Sequence, residues 1–250
     1  TSNMGRQETN IQGNWKISDK WTSGLFLHGN QRIKEMDGNG DSFLDAPLAK
    51  QVNILNRWQY TNANKGWVGF GSFRLMRDEK TLGSLGFNPE EDRNNFALWG
   101  SQIDTNRLDT SLKIGYVFPE LSYKSFGFQS AFSNQDQEAY YGFRIYNINH
   151  QSFYSSLLYN SIIGNTKNKF KIGINFSYDR YLETVDNFYF NRSDRSIGSF
   201  FEYTYNSLEN FNLVTGIRLD SHNRLGTFIT PRLHLRYLPK ENTIFRLSAG

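Results

Sequence analysis

Between residues 37 and 45, oxygen-bearing side chains recur at alternate positions: Asp37, Asn39, Asp41 and Asp45 follow the spacing D-x-N-x-D-x-F-x-D, with Gly38 and Gly40 letting the backbone curl. On a tight loop such side chains converge on one hard cation, and this spacing suits calcium. The carbonyl of Phe43 takes the seventh position, and Asp45 closes the shell directly or through water. Two positions depart from the EF-hand loop: Ser42 replaces the sixth-position glycine, and Leu48 stands where the bidentate glutamate belongs. The competing reading is a solvated acidic turn, since Asp and Asn favour loops by bonding their own backbone. Calcium is the one cofactor the spacing calls for.

Further side chains suited to binding are Trp99, Tyr140 and Tyr141. They fall in expected loops, where they either stack on a planar or sugar-like ligand or pack between loops. His28, His222 and His234 share the parity of the polar strand positions, His150 falls in an expected loop, and no two are spaced as a metal pair; polar-wall chemistry is the reading preferred for them. No glycine-flanked serine elbow, paired-histidine zinc spacing or phosphate-cradling glycine loop occurs, so catalysis is not expected. The charge is +4, with Lys and Arg dispersed singly along the chain. A nucleic-acid partner is therefore not expected either.

The elements that must position these residues read as strands. The chain has 250 residues, no cysteine, 38% hydrophobic and 16% aromatic content. Such a composition excludes disorder. No run approaches the ~18 apolar residues of a membrane-spanning helix. Instead the hydrophobic period is two. Phe170, Ile172, Ile174, Phe176 and Tyr178 share one face, and Lys171, Gly173, Asn175, Ser177 and Asp179 the other. The same split recurs over 112–118, 211–220 and 232–237. It predicts about twelve strands of roughly 9 to 14 residues, near or above the ~9 to 11 needed to cross a bilayer at a tilt. Their expected positions are 3–17, 21–33, 47–61, 67–79, 106–118, 125–135, 150–163, 169–182, 194–206, 211–222, 228–238 and 243 onward. Strands 67–79 and 150–163 alternate poorly.

Connections give an independent signal, because outer-membrane barrels alternate short periplasmic turns with longer external loops. Short turns rich in Asn, Gly, Pro, Asp and Ser are expected at 18–20, 62–66, 119–124, 164–168, 207–210 and 239–242. Longer connections are expected at 34–46, 80–105, 136–149 and 183–192, with a minimal one at 223–227. Aromatics including Trp15, Trp21, Trp58, Tyr60, Trp67, Phe118, Phe126, Tyr159, Phe170, Tyr205, Phe211, Tyr237 and Phe245 lie near the short turns. This predicts an interfacial girdle, with apolar ring bodies in hydrocarbon and polar edges among headgroups.

The stretch TPRLHLRYLPKENTIFRLSAG at 230–250 resembles a barrel segment of TonB-dependent outer-membrane receptors, in which a Pro-Arg-led strand, a tight Pro-containing turn and an Arg-x-Ser-x-Gly strand follow one another. GIRLD at 216–220 fits the preceding strand. DGNGDSFLDAPLAKQVNILNRWQY at 37–60 resembles an external loop and strand in members related to cobalamin and iron-chelate receptors. The resemblance implies an all-β, antiparallel transmembrane barrel of about 22 strands, of which residues 1–250 are a partial barrel domain with the plug domain and both barrel termini absent. An open sheet of that size exposes long edges, so it is not expected to be stable alone.

By the same resemblance the function is energised import of a scarce nutrient, such as a ferric chelate or cobalamin, across the outer membrane of a Gram-negative bacterium. TonB–ExbB–ExbD would act through the plug segment, with outer-membrane lipid and a small-molecule nutrient as the other partners. Calcium would order the 37–45 loop over the barrel mouth. The polar-face set Arg57, Lys113, Arg218, Arg232, His234 and Arg236 is expected to line the lumen, drawing anionic chelates or packing against the plug. A passive pore or structural barrel is the alternative function, and a soluble calcium- or carbohydrate-binding β-protein a further one.

Overall fold

The computed structural model describes residues 5–94, 97–207 and 210–250. The expected strand at 3–17 and turn at 207–210 therefore lie partly outside the described residues. Twelve strands form one antiparallel sheet in which sequence neighbours are sheet neighbours throughout. They are β1 (Arg6–Lys16), β2 (Trp21–Arg32), β3 (Leu48–Asn62), β4 (Trp67–Gly83), β5 (Gly100–Val117), β6 (Ser125–Tyr141), β7 (Arg144–Ile163), β8 (Asn165–Val185), β9 (Phe188–Asn206), β10 (Phe211–His222), β11 (Gly226–Lys240) and β12 (Thr243–Ala249). The poorly alternating stretches 67–79 and 150–163 both lie within strands, β4 and β7.

Register carries the period-two pattern across the sheet. Ile172 of β8 is opposite Tyr159 of β7 and Phe201 of β9, and Phe201 is opposite Ile217 of β10. These residues continue one apolar face, while Lys171, Glu202 and Gly216 continue the polar one. The apolar face is not covered by the chain itself. Among the described residues the buried hydrophobic side chains are Phe87, Ala139 and Tyr140, whereas Ile172, Ile174, Ile197, Phe201 and Ile217 are all more than a third exposed. In water each such side chain would forgo about 1.5–3 kcal/mol of burial. A sheet with so little dry interior folds stably when hydrocarbon covers that face.

The turn-side edge of the apolar face carries the expected girdle. Rings follow one another from strand to strand: Trp67–Tyr116 at 4.8 Å, Tyr116–Phe118 at 4.9 Å, Phe118–Phe126 at 6.0 Å, Phe126–Tyr159 at 4.7 Å, Tyr159–Phe170 at 5.9 Å and Phe170–Phe201 at 6.1 Å between centroids. Towards the other end the same face turns polar at Lys50, Arg77, Asn106, Asn134, Gln151, Arg180 and Arg195, which bounds the apolar belt.

Three long connections are corrected by the structure. β6 and β7 continue through the expected loop 136–149 to a turn at Gly142 and Phe143, and β8 and β9 continue through 183–192 to a turn at Asp186 and Asn187. The expected loop 80–105 shortens to 84–99. Strands β4 to β9 reach 17 to 21 residues. Beyond the belt apolar and polar residues mix on both faces, with Ile148 and Phe190 on the polar parity and Arg180 on the apolar one, so the hydrophobic alternation that marks a strand disappears while the backbone ladder continues.

Candidate functional site

The polar wall carries both paired charges and cations without a carboxylate partner among the described residues. On its first half, Arg57 lies over the Phe26 ring at 5.7 Å and, with Lys113, lines a hollow of about 660 Å³. Arg74 donates through Nε to Asn53 at 3.0 Å and stands 3.7 Å from Asp109, which also accepts from Arg107 Nε at 2.9 Å. Further along, Arg218 reaches both oxygens of Asp220 at 2.6 Å and Asn175 at 2.9 Å. Asp220 is buried in this knot. Near the loop end, His150 Nε2 shares a hydrogen bond with Asp179 at 3.1 Å, its ring stacks on Tyr181 at 4.3 Å, and Arg192 stands 4.2 Å from the centroid of the same tyrosine.

A cap of loops sits on the strand extensions of β2 to β7. Residues 33–47 and 84–99 are joined to one another: Phe43 bridges Ser84, Leu44 N–H donates to Gly83 at 2.9 Å, Leu85 N–H donates to Ser42 at 2.9 Å, and Gly86 N–H donates to Glu35 at 3.1 Å. Under 84–99 lies a cavity of about 80 Å³ whose walls include Phe87, Arg93, Trp99 and Tyr140. The Arg93 guanidinium carbon is 4.5 Å from the Tyr140 ring centroid. Burial pushes the Tyr140 phenol above its usual range, Arg93 opposes that shift, and Asp104 adds to it. Asp104 is itself raised, chiefly by burial, with a Gln102 hydrogen bond pulling the other way. Both groups lie beyond the polar border of the belt.

The twelve strands, girdle and charged wall have counterparts among solved structures. The siderophore receptor PirA of Pseudomonas aeruginosa matches with a TM-score of 0.72 at 9% identity, covering 96% of this chain and 38% of that one. The alcaligin outer-membrane receptor FauA of Bordetella pertussis matches at 0.72 and 10% identity, over 98% of this chain and 41% of that one. For the siderophore receptor PiuA of Acinetobacter baumannii the values are 0.70, 10%, 98% and 47%. The fold is that of the TonB-dependent receptor barrel. The chain spans less than half the length of these receptors. Neither a family model nor a curated protein sequence matches it. The solved structures it matches are transport receptors, not enzymes.

Within the sheet the expected site residues separate. Arg57, Lys113, Arg218, Arg232, His234 and Arg236 all occupy the polar face, as their parity predicts. Arg218 is committed to Asp220, and His234 Nδ1 shares a hydrogen bond of 3.0 Å with Ser248. Arg236 is directly opposite Arg246. Trp99 and Tyr140 meet at the cavity, but Tyr141 does not join them: adjacent residues of β6 project to opposite faces, and Tyr140 continues the face of Phe126 and Phe128.

The 37–45 loop places its carboxylates on backbone amides. Asp37 accepts from Gly40 at 2.7 Å, Asp41 at 3.1 Å and Ser42 at 2.9 Å; Asp41 accepts from Phe43 at 2.9 Å and from the Asn39 amide at 2.9 Å; Asp45 accepts from Gly38 at 2.6 Å. Among the described residues no three His, Asp or Glu side chains are gathered as a metal ion requires. As folded, Asp37, Asn39, Asp41 and Asp45 each accept from an amide of their own loop.

Sequence reasoning misses the His150–Tyr181–Arg192 column, because it puts 150 where a loop gives way to a strand and 192 at the end of a loop. It also misses Phe87 and Arg93. The available signal was the pairing of parities at 150, 181 and 192, visible only once the register is known.

Proposed function

We propose that this chain forms part of the wall of an outer-membrane receptor that imports a ferric chelate. The observation that carries the reading is the likeness of nearly the whole sheet to the barrels of siderophore receptors. Two features of the chain support it. The belt and girdle suit a lipid-embedded wall, and Arg232, Arg236 and Arg246 stand on the polar face without a carboxylate ion pair among the described residues. Such a cationic stripe suits either an anionic chelate in passage or an acidic plug surface. That the matched receptors bind siderophores favours a ferric chelate over cobalamin. Energy would come from TonB–ExbB–ExbD through a plug, as in active import.

Cells carrying the intact gene, a deletion, or the intact gene with a protonophore are compared for uptake of radioactive iron supplied as ferric siderophores. Saturable uptake that needs the gene and stops with the protonophore is the expected result. Uptake that is energy-independent and proportional to concentration, together with steady conductance in planar bilayers, would instead establish a passive pore.

A further inference from the structure

Among the described residues, two of the three buried hydrophobic side chains lie beneath the 84–99 loop. Phe87 and Tyr140, both buried, line the cavity of about 80 Å³ together with Asp92, Arg93, Trp99 and Phe143. The space is built into the backbone. A Cβ on Gly100 would collide with the Phe87 ring, and one on Gly142, whose φ is +61°, would stand 2.7 Å from Trp99 Nε1. Asn88 and Asp92 fix the turn that presents Arg93: Asn88 N–H donates to the Asp92 carboxylate at 2.8 Å, and Asp92 N–H returns a bond to the Asn88 carbonyl at 2.8 Å.

The Tyr140 hydroxyl and the Arg93 guanidinium are the donors left over in this cavity, and the buried Oδ1 of Asp104, outside its lining, also lacks a partner. Tyr140 is 5% exposed, and its hydroxyl has no hydrogen-bond partner. Buried hydroxyls are ordinarily satisfied, so an orphan of this kind points to a missing partner. Arg93, lying over the same ring, makes no ion pair among the described residues. Asp92 already accepts the Asn88 amide. Asp104, the other nearby carboxylate, influences the phenol less than Arg93 does. A buried phenol O–H and a guanidinium that line one space call for an anionic acceptor.

Size and position narrow the ligand. A cavity of about 80 Å³ admits only a small group. A carboxylate fits, and a whole chelate does not. Trp99 is 49% exposed and stands at the rim, offering an open indole face to whatever carries that carboxylate. Tyr140 has the parity of the apolar face, beyond its polar border, so the ligand approaches from outside the wall and not along the polar passage.

We propose that this cavity recognises the carboxylate of an acidic sugar, held by Arg93 and Tyr140 with the sugar ring against Trp99. The site is independent of the transported cargo.

The test is calorimetric titration of the whole detergent-solubilised protein with glucuronate, acetate and glucose, repeated for Tyr140→Phe and Arg93→Gln, with thermal unfolding as the control of folding. Glucuronate is expected to bind, glucose to give no heat, and acetate to bind more weakly than glucuronate. Each variant is expected to lose about tenfold in affinity without a fall in unfolding temperature. Absence of glucuronate binding, or equal affinity in folded variants, overturns the site. Acetate binding as tightly as glucuronate overturns the sugar. Iron uptake that does not depend on the gene, with glucuronate binding intact, would sink the transport reading and leave this one standing.

Discussion

Arg218 and Asp220, two positions apart on the polar face of β10, are joined by a bidentate contact in which Nε and Nη2 each approach a carboxylate oxygen at 2.6 Å. Gly198 of β9 lies directly opposite Asp220. Its missing side chain is what admits the pair, since a Cβ there would collide with the Asp220 carboxylate and stand 2.6 Å from Arg218 Nη2. Gly198→Ala is therefore expected to cost about 1–3 kcal/mol through overpacking. Denaturant unfolding in micelles measures this, and an unchanged midpoint would show that the pair relaxes freely.

The two faces of β8 predict opposite tolerance to charge. Ile174 is 53% exposed in the middle of the apolar belt, whereas Ser177 has the polar parity. Ile174→Arg is expected to cost about 2–4 kcal/mol in a bilayer, and Ser177→Arg within about 0.5 kcal/mol of nothing. Folding into vesicles, followed by the shift in gel mobility, distinguishes them. Equal effects would place the apolar face elsewhere than in lipid.

Burial raises both Tyr140 and Asp104 above their ordinary values of 10.0 and 3.8. A group whose folded value is raised binds its proton more tightly in the folded state. Its contribution is complete below the unfolded value and is lost as pH climbs through the folded one. For Tyr140 that loss falls above about pH 10, so Tyr140→Phe is expected to flatten the alkaline limb of the stability profile. For Asp104 the loss begins above about pH 4 and continues as pH rises through the raised folded value, so Asp104→Asn is expected to remove that loss and flatten the profile on this side. Unfolding midpoints across pH check both, and a variant that tracks the parent protein throughout refutes its assignment.

Asp37 holds the 37–45 turn by accepting from three amides, those of Gly40, Asp41 and Ser42. Asp37→Ala is expected to accelerate hydrogen exchange at these amides by about tenfold, the equivalent of ~1.4 kcal/mol. In the parent protein their protection is expected to be the same with calcium and with a chelator. Calcium-dependent slowing would show that the ion displaces the amides and rebuilds the loop around itself.

The alternation of side chains by itself determined the twelve antiparallel strands, the apolar and polar faces, the short-turn ends and the aromatic girdle. That is because a half-solvated strand writes its geometry into every second residue, and the bilayer enforces the rule wherever the wall meets lipid. Where lipid ends, the rule ends. The extensions through 136–141 and 183–185, the loop-to-loop contacts of Glu35 with Gly86 and Phe43 with Ser84, and the parting of Tyr140 from Tyr141 depend on register and on contacts between distant residues, for which no local pattern exists. The tertiary structure likewise decided that the acidic loop bonds to its own amides, and that a small cavity forms beside Tyr140, where Gly100 and Gly142 leave room for rings brought from another loop.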